Sequence, residues 1–191
     1  MKTLTQKSVS HIKTVLNHKK LVFQLSIKAG IPIRGLFHDL SKFSPTELSE
    51  SIKYYEDGKQ SPLLKCIKEN GYSNAWLHHT KYNKHHLEYW ILPDSTYGAL
   101  LLPYEYWVEL ICDNLAAGMN YRKDIWTKEY QLKYWTEKLP RWKSKKGFCI
   151  HPAIEKATTE VFTQVAKYGI DCVIQKENLQ KIYNESVKEF S

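Results

Sequence analysis

At 191 residues and 42% apolar side chains, the chain is long enough for one domain that buries its own core without disulfides or structural metals. Its formal charge of +8 invites a nucleic-acid partner, but the basic residues are spread along the chain, and a cationic surface equally suits a substrate that carries phosphate. No apolar run approaches the roughly 20 residues that a membrane helix needs, and Cys66, Cys112, Cys149 and Cys172 form no Cys-x-x-Cys pair, which argues against a disulfide framework.

Met1-Lys2-Thr3 leads directly into a polar segment, so no secretory leader is expected. The cysteines then read as buried free thiols of a cytoplasmic protein. From about Thr5 to Ala29, Ile12, Val15, Leu16, Leu21, Val22 and Leu25 recur at helical spacing, and Gly30 before Pro32 supplies the stop. His11 and His18 lie seven positions apart on one face of that helix. A short helix starting near Pro32 delivers His38-Asp39. Ser44-Pro45-Thr46-Glu47 has the capping-box pattern and opens a helix to about Tyr55, closed by Asp57-Gly58. Ser61-Pro62 opens the next, ended by Asn70-Gly71. Ser73 caps a helix holding Trp76 to Tyr82, which either runs on to Trp90 or breaks at Asn83.

Pro93 to Pro103 reads as loop or short helix, and Tyr104 to Ala117 as helix around Trp107, Leu110, Ile111 and Leu115. A further helix is predicted from Asp124 to Pro140. The basic run Arg141 to Lys146 reads as a solvated loop, and helices over Pro152 to Tyr168 and Lys176 to Phe190 complete the chain. No period-two stretch, repeat or low-complexity linker interrupts the series. The fold class is all-α, a single-domain helical bundle.

Chemistry concentrates at Gly35-Leu36-Phe37-His38-Asp39-Leu40-Ser41-Lys42-Phe43-Ser44, where an imidazole and a carboxylate stand side by side among apolar residues. Burying that pair costs several kcal/mol, roughly, unless something partners it. A divalent cation takes an imidazole nitrogen and a carboxylate oxygen together. Further ligand types follow at His18, at His78-His79 and His85-His86 (four histidines within nine residues), and at Asp113 in an apolar helix. The competing readings are structural. His11 reads as solvent-facing, the paired histidines as aromatic contacts beside Trp76 and Trp90, and Asp113 as a core hydrogen bond or ion pair. Glu47 reads as the capping-box acid, Lys42 as a surface lysine, His151 as a helix cap, and Cys112 and most tryptophans as core.

The order His, His-Asp, paired His, Asp on predicted helices resembles the HD-domain superfamily of metal-dependent phosphohydrolases. More narrowly, GLFHDLSKFSPTEL and AWLHHTKYNKHHLEYW look like a branch of that superfamily of unknown function. The resemblance covers residues 11 to about 117, with 118–191 packed on it as C-terminal helices of the same 1–191 domain. It implies His18, His38, Asp39 and Asp113 as ligands of one ion. Asp39 would bridge to a second ion held by His79 and His86, with His78 or His85 as substitutes. The span from His18 to His38 is short for the superfamily and the doubled histidines leave the register open, so one or two ions fit. A mixed nitrogen–oxygen set suits Mn, Fe, Co, Ni or Zn. Lys42, which matches a lysine after the His-Asp pair, and Arg34 are assigned to substrate phosphate. Asp39 would orient the attacking water, and Glu47 or a non-ligating histidine would act as general acid.

The expected activity is hydrolysis of a nucleotide-like phosphomonoester or phosphodiester by a metal-activated water. Three alternatives stand beside it. An HD-type di-iron oxygenase would be marked by tightly bound redox-active iron. A non-catalytic nucleotide-binding module would retain ligand without turnover. A basic nucleic-acid-binding protein, the less favoured partner class, would show salt-dependent, chelator-insensitive affinity. The oligomeric state is not written in the sequence.

Overall fold

The computed structural model describes residues 3–58, 60–145 and 147–191; Met1 and Lys2, read above as the leaderless start, and Lys146 of the basic run lie outside it. Ten α-helices and no strand are found among the described residues: α1 Leu4–Lys28, α2 Pro32–Phe37, α3 Pro45–Tyr54, α4 Pro62–Asn70, α5 Asn74–Tyr82, α6 Tyr104–Arg122, α7 Tyr130–Lys143, α8 Pro152–Tyr168, α9 Ile170–Val173 and α10 Lys176–Glu189. The all-α class follows directly. No helix among the described residues is long and apolar enough to cross a membrane.

Local chemistry sets the boundaries. Thr3 and Gln6 close a reciprocal capping box at the start of α1. Gly30, at φ 79°, takes the left-handed turn that ends it, and the Ile31 N–H donates back to the Ser26 carbonyl at 2.9 Å. Ser44 accepts from the Glu47 N–H at 3.3 Å to start α3, and Ser73 accepts from the Trp76 N–H at 2.9 Å to start α5. His151 caps α8 through Nδ1, which accepts from the Ala153 N–H. Of the two readings after Tyr82, the break is the one observed. The Asn83 backbone is extended, and its side-chain amide donates to the His79 carbonyl at 2.8 Å and to Ser41 Oγ at 2.7 Å.

Of the two readings for Pro93 to Pro103 the loop is the one observed, with residues 91–99 pinned by an antiparallel bridge between Ile91 and Ala99. Two boundaries depart from expectation. Helix α6 runs on to Arg122, because nothing from Ala117 to Tyr121 breaks it except Gly118. That glycine admits the side chains of Gln131 and Trp126, whose atoms lie 2.7 and 2.9 Å from where its Cβ would be. Helix α7 starts at Tyr130, after a 3-10 turn at Lys123–Ile125, and passes through Pro140. Proline there removes one donor within the last turns. Trp142 beyond it is held against Trp135 and Phe148, with ring centroids 6.0 and 5.5 Å away. Arg141 and Lys143 of the basic run thus belong to a helix.

One continuous apolar core runs from Val22 of α1 to Tyr183 of α10, with α6 at its centre through Trp107, Val108, Ile111, Cys112, Leu115 and Ala116. Three aromatic residues of this core have their polar tips partnered. Trp107 Nε1 donates to Thr158 Oγ1 at 3.0 Å, Trp135 Nε1 to Thr159 Oγ1 at 2.9 Å, and the Tyr183 hydroxyl to the Leu102 carbonyl at 2.6 Å. All four cysteines are free; Cys66 and Cys112 are buried as expected, whereas Cys172 is exposed.

Helix α1 lies against α6 and α2. The approach to α2 is close at Gly35, where an added Cβ would sit 2.4 Å from Ser26 Cβ and 3.3 Å from the Phe23 backbone. That contact brings His38, three residues on, to the His18 ring at 5.6 Å between centroids. Gly35→Ala should therefore destabilise the fold by about 1–3 kcal/mol in urea denaturation, with part recovered by Ser26→Gly in the same chain.

His11 is not solvent-facing. It is buried with its ring edge on Tyr55, 5.2 Å between centroids, and its Nδ1 has no hydrogen-bond partner. Burial, helped by the nearby Lys42 ammonium, pushes its pKa from 6.5 down to about 4. The unfolded chain then binds a proton that the folded chain refuses, so stability is full above pH 6.5 and falls as pH drops toward 4. This group should remove up to about 3 kcal/mol over that window. His11→Phe should lose correspondingly less in denaturation curves recorded from pH 7 to 4; equal slopes would assign the acid lability elsewhere.

Candidate metal centre

Five segments converge between α1, α2, α5 and α6. Helix α1 brings His18, and α6 brings Glu109 and Asp113, one turn apart on the same face. His38 and Asp39 sit at the joint between α2 and the 3-10 turn Leu40–Phe43, not within a helix as the sequence suggested. The chain turns there through a left-handed Asp39 (φ 52°, ψ 34°), a conformation that aspartate tolerates better than most residues. Helix α5 supplies His78 and His79, and the turn after Asn83 supplies His85 and His86.

Two overlapping quartets of ligand atoms result, each with all its atoms within 4.8 Å of one another: His18, His38, Asp39, Asp113 and Asp39, His79, His85, His86. In the first, His18 Nε2 lies 2.9 Å from Asp113 Oδ1, and His38 Nε2 lies 3.1 Å from Asp39 Oδ2 and 3.4 Å from Asp113 Oδ1. In the second, Asp39 Oδ1 lies 3.6 Å from both His79 Nε2 and His85 Nε2. His18, His38, His85, His86 and His79 follow one another with ring centroids 5.6, 4.7, 4.4 and 4.7 Å apart. The edge of Trp76 closes one side against His86.

The fit to a cation rests on lone pairs. Nε2 of His18, His38, His85 and His86 and both oxygens of Asp39 are buried, and none makes a hydrogen bond of acceptable geometry despite the short approaches. Atoms that crowd together without aiming N–H groups at one another are disposed as ligands around a shared point. The donors are nitrogen and oxygen only. Cys112, beside Asp113 in sequence, points into the core, and burial pushes its thiol up to about 12, far from a thiolate ligand.

Behind the ligands stands a ring of charge. Glu109 Oε1 lies 2.9 Å from His38 Nδ1 and 3.2 Å from His85 Nδ1. Its Oε2 accepts from Arg34 Nε at 3.0 Å and Nη2 at 2.7 Å. Glu47 accepts from His78 Nδ1 at 2.7 Å and His79 Nδ1 at 2.8 Å. Lys42 Nζ sits 2.7 Å from Asp39 Oδ2, and Lys19 donates to the His38 carbonyl. Burial alone would raise the carboxyl groups. The His38, Lys42 and His79 charges nevertheless hold Asp39 well below the usual range, the close approach of the His18 and His38 imidazoles does the same for Asp113, and that of His38 and His85 lowers Glu109. Burial lowers His18 and His86, leaving neutral imidazoles. Against its own burial, His38 is raised well above its ordinary value by Asp39, Asp113 and Glu109.

The structure thus gathers His18, His38, Asp39, Asp113, His79 and His86, and it adds His85, expected only as a substitute. His78 stands outside both quartets, on Glu47. Glu47 donates its backbone N–H to Ser44 as a helix start should, but its carboxylate turns inward to the two imidazoles instead of closing the box. Arg34, assigned to substrate, is spent on Glu109 and lies 4.0 Å over the Tyr106 ring. Glu109 itself was missed. Its signal was an acid one turn before Asp113, inside the apolar run Trp107 to Cys112, where an unpaired carboxylate has no place.

No curated protein and no solved structure matches this chain. The profile of a family of unknown function, DUF5662, matches residues 7–166, a span that contains every residue of the centre; the chain belongs to that family.

Proposed function

We propose that the protein is a metal-dependent phosphohydrolase of the HD type, acting on a nucleotide-like phosphomonoester or phosphodiester. The observation that carries this reading is the convergence, on an Asp39 carboxylate whose one fixed cation is Lys42 on Oδ2, of buried imidazole Nε2 atoms that make no hydrogen bond. A divalent transition ion (Mn, Fe, Co, Ni or Zn) held by His18, His38, Asp39 and Asp113, alone or with a second held by Asp39, His79, His85 and His86, supplies a Lewis acid and a bound water acidic enough to furnish hydroxide near neutral pH.

The chain's own residues divide the rest. Lys42, fixed against Asp39 but about a quarter exposed, offers its ammonium to the phosphoryl oxygens and offsets the charge that gathers there as the ester bond breaks. Against its own burial, the Asp39 and Asp113 carboxylates raise its pKa and keep it protonated throughout the working range. His78, which is 27% exposed and donates from Nδ1 to Glu47, is the non-ligating imidazole assigned here to give a proton to the leaving group, with Glu47 orienting it. Tyr82, 4.5 Å from the His78 ring, presents an exposed aromatic face on which a base can stack.

A second reading has its own support, because quartets that share one carboxylate also suit a pair of irons for oxygen chemistry. Tightly bound iron with visible absorption and oxygen uptake would favour it over hydrolysis.

Purified protein should carry about one to two transition-metal ions per chain, and His38→Ala/Asp39→Ala should carry none while remaining folded. With Mn²⁺ added, a panel of nucleoside mono-, di- and triphosphates and cyclic dinucleotides should release phosphate or a ring-opened product. A metal-loaded protein that turns over nothing on that panel, or that retains a nucleotide unchanged, would rule against the hydrolase. On the substrate found, Lys42→Gln should lower kcat by about 10²-fold with metal content unchanged.

A further inference from the structure

Resting on the metal-centre reading, we propose that the Arg34–Glu109 ion pair is a positioning device that presents His38 and His85, one from each quartet, as Nε2 donors at the same time. The argument starts from one oxygen. Glu109 Oε1 is within 2.9 Å of His38 Nδ1 and 3.2 Å of His85 Nδ1. An ionised carboxylate only accepts hydrogen bonds, so both Nδ1 atoms carry hydrogen and both lone pairs are assigned to Nε2. Those Nε2 atoms are the ones that face Asp39, at 3.1 Å from Oδ2 for His38 and 3.6 Å from Oδ1 for His85.

Rotation of the carboxylate would undo this, and Arg34 prevents it. Its fork engages Oε2 through Nε and Nη2, at 3.0 and 2.7 Å, while the guanidinium lies 4.0 Å over the Tyr106 ring and Glu105 is 3.8 Å from Nη1. The same fixed positive charge argues against Glu109 as a ligand in its own right, although His38, His85 and Glu109 also cluster closely enough to be one. A cation placed there would meet N–H groups and a guanidinium.

Glu47 does the corresponding work for a single ligand. Its Oε2 takes His79 Nδ1 at 2.8 Å, and its Oε1 takes His78, which lies outside both quartets. The two glutamates therefore differ in reach. Glu109 serves both quartets; Glu47 serves only the one built on His79.

The test is a Co²⁺ titration of the metal-stripped full-length chain, followed by visible absorption and by metal analysis, with circular dichroism and Tm of the metal-free form as the check on folding. Glu109→Gln should weaken every Co²⁺ step that the parent shows by about 10–100-fold, whereas Glu47→Gln should spare the step carried by His18, His38 and Asp113. Arg34→Gln, which leaves the carboxylate in place but frees it to rotate, should weaken the same steps as Glu109→Gln to a smaller degree, and it decides the matter should Glu109→Gln not fold. A folded Glu109→Gln or Arg34→Gln protein that takes up Co²⁺ as tightly as the parent overturns the positioning role alone. A parent that takes up no Co²⁺ overturns the metal-centre reading and this proposal with it.

Discussion

The Asp39 carboxylate is kept from water as an anion, and the surrounding structure is arranged to make that tolerable. An isolated buried carboxylate would cost many kcal/mol and would take up a proton instead. Here Lys42 sits on one oxygen, three imidazoles stand within 3.6 Å or less, and the group remains ionised against its burial. With Asp113, Glu109 and Glu47 added, four acids face three cations, Lys42, Arg34 and Lys19. The elevated His38 imidazole makes up the difference by holding a proton. A divalent ion at the same point exchanges for that proton on binding.

Scaffold and centre meet on two helices. Helix α6 gives one face to the core, through Trp107, Ile111 and Leu115, and another to the centre, through Glu109 and Asp113. Helix α1 does the same with Val22 and Leu25 against His18. A ligand pair on rigid, deeply packed helices is held to geometry that loops alone would not keep. The loop-borne ligands are tied down by other means: His38 by the Lys19 bond to its carbonyl, Asp39 by Lys42, and the turn carrying His85 and His86 by the Asn83 amide. Close approach at Gly35 sets the separation of the two ligand-bearing segments.

Much of this was written locally. Ser44, Ser73 and the Gly30-Pro32 stop mark helix ends through bonds a few residues long, so their reading needed no tertiary knowledge. The His38-Asp39 pair and Asp113 stood out because polar residues in apolar runs demand partners. What was not legible depends on where helices stop and how they cross. Had α5 continued, His78 and His85 would have shared a stripe. The break at Asn83 instead returns both His85 and His86 to the centre and leaves His78 on Glu47. Glu47 looked like a capping residue because the box is a local pattern, whereas its carboxylate answers to imidazoles 31 and 32 positions away. His11 was misjudged, and the partner of Arg34 was not foreseen, for the same reason: burial against Tyr55 and pairing with Glu109 are facts of packing, not of spacing.

The most direct check on the centre is X-ray absorption at the edge of whichever transition metal accompanies the purified protein. The account predicts a first shell of nitrogen and oxygen with the outer-shell scattering of several imidazoles, and no sulfur. A sulfur shell from cysteine, or an ion surrounded by water oxygens alone, would contradict it.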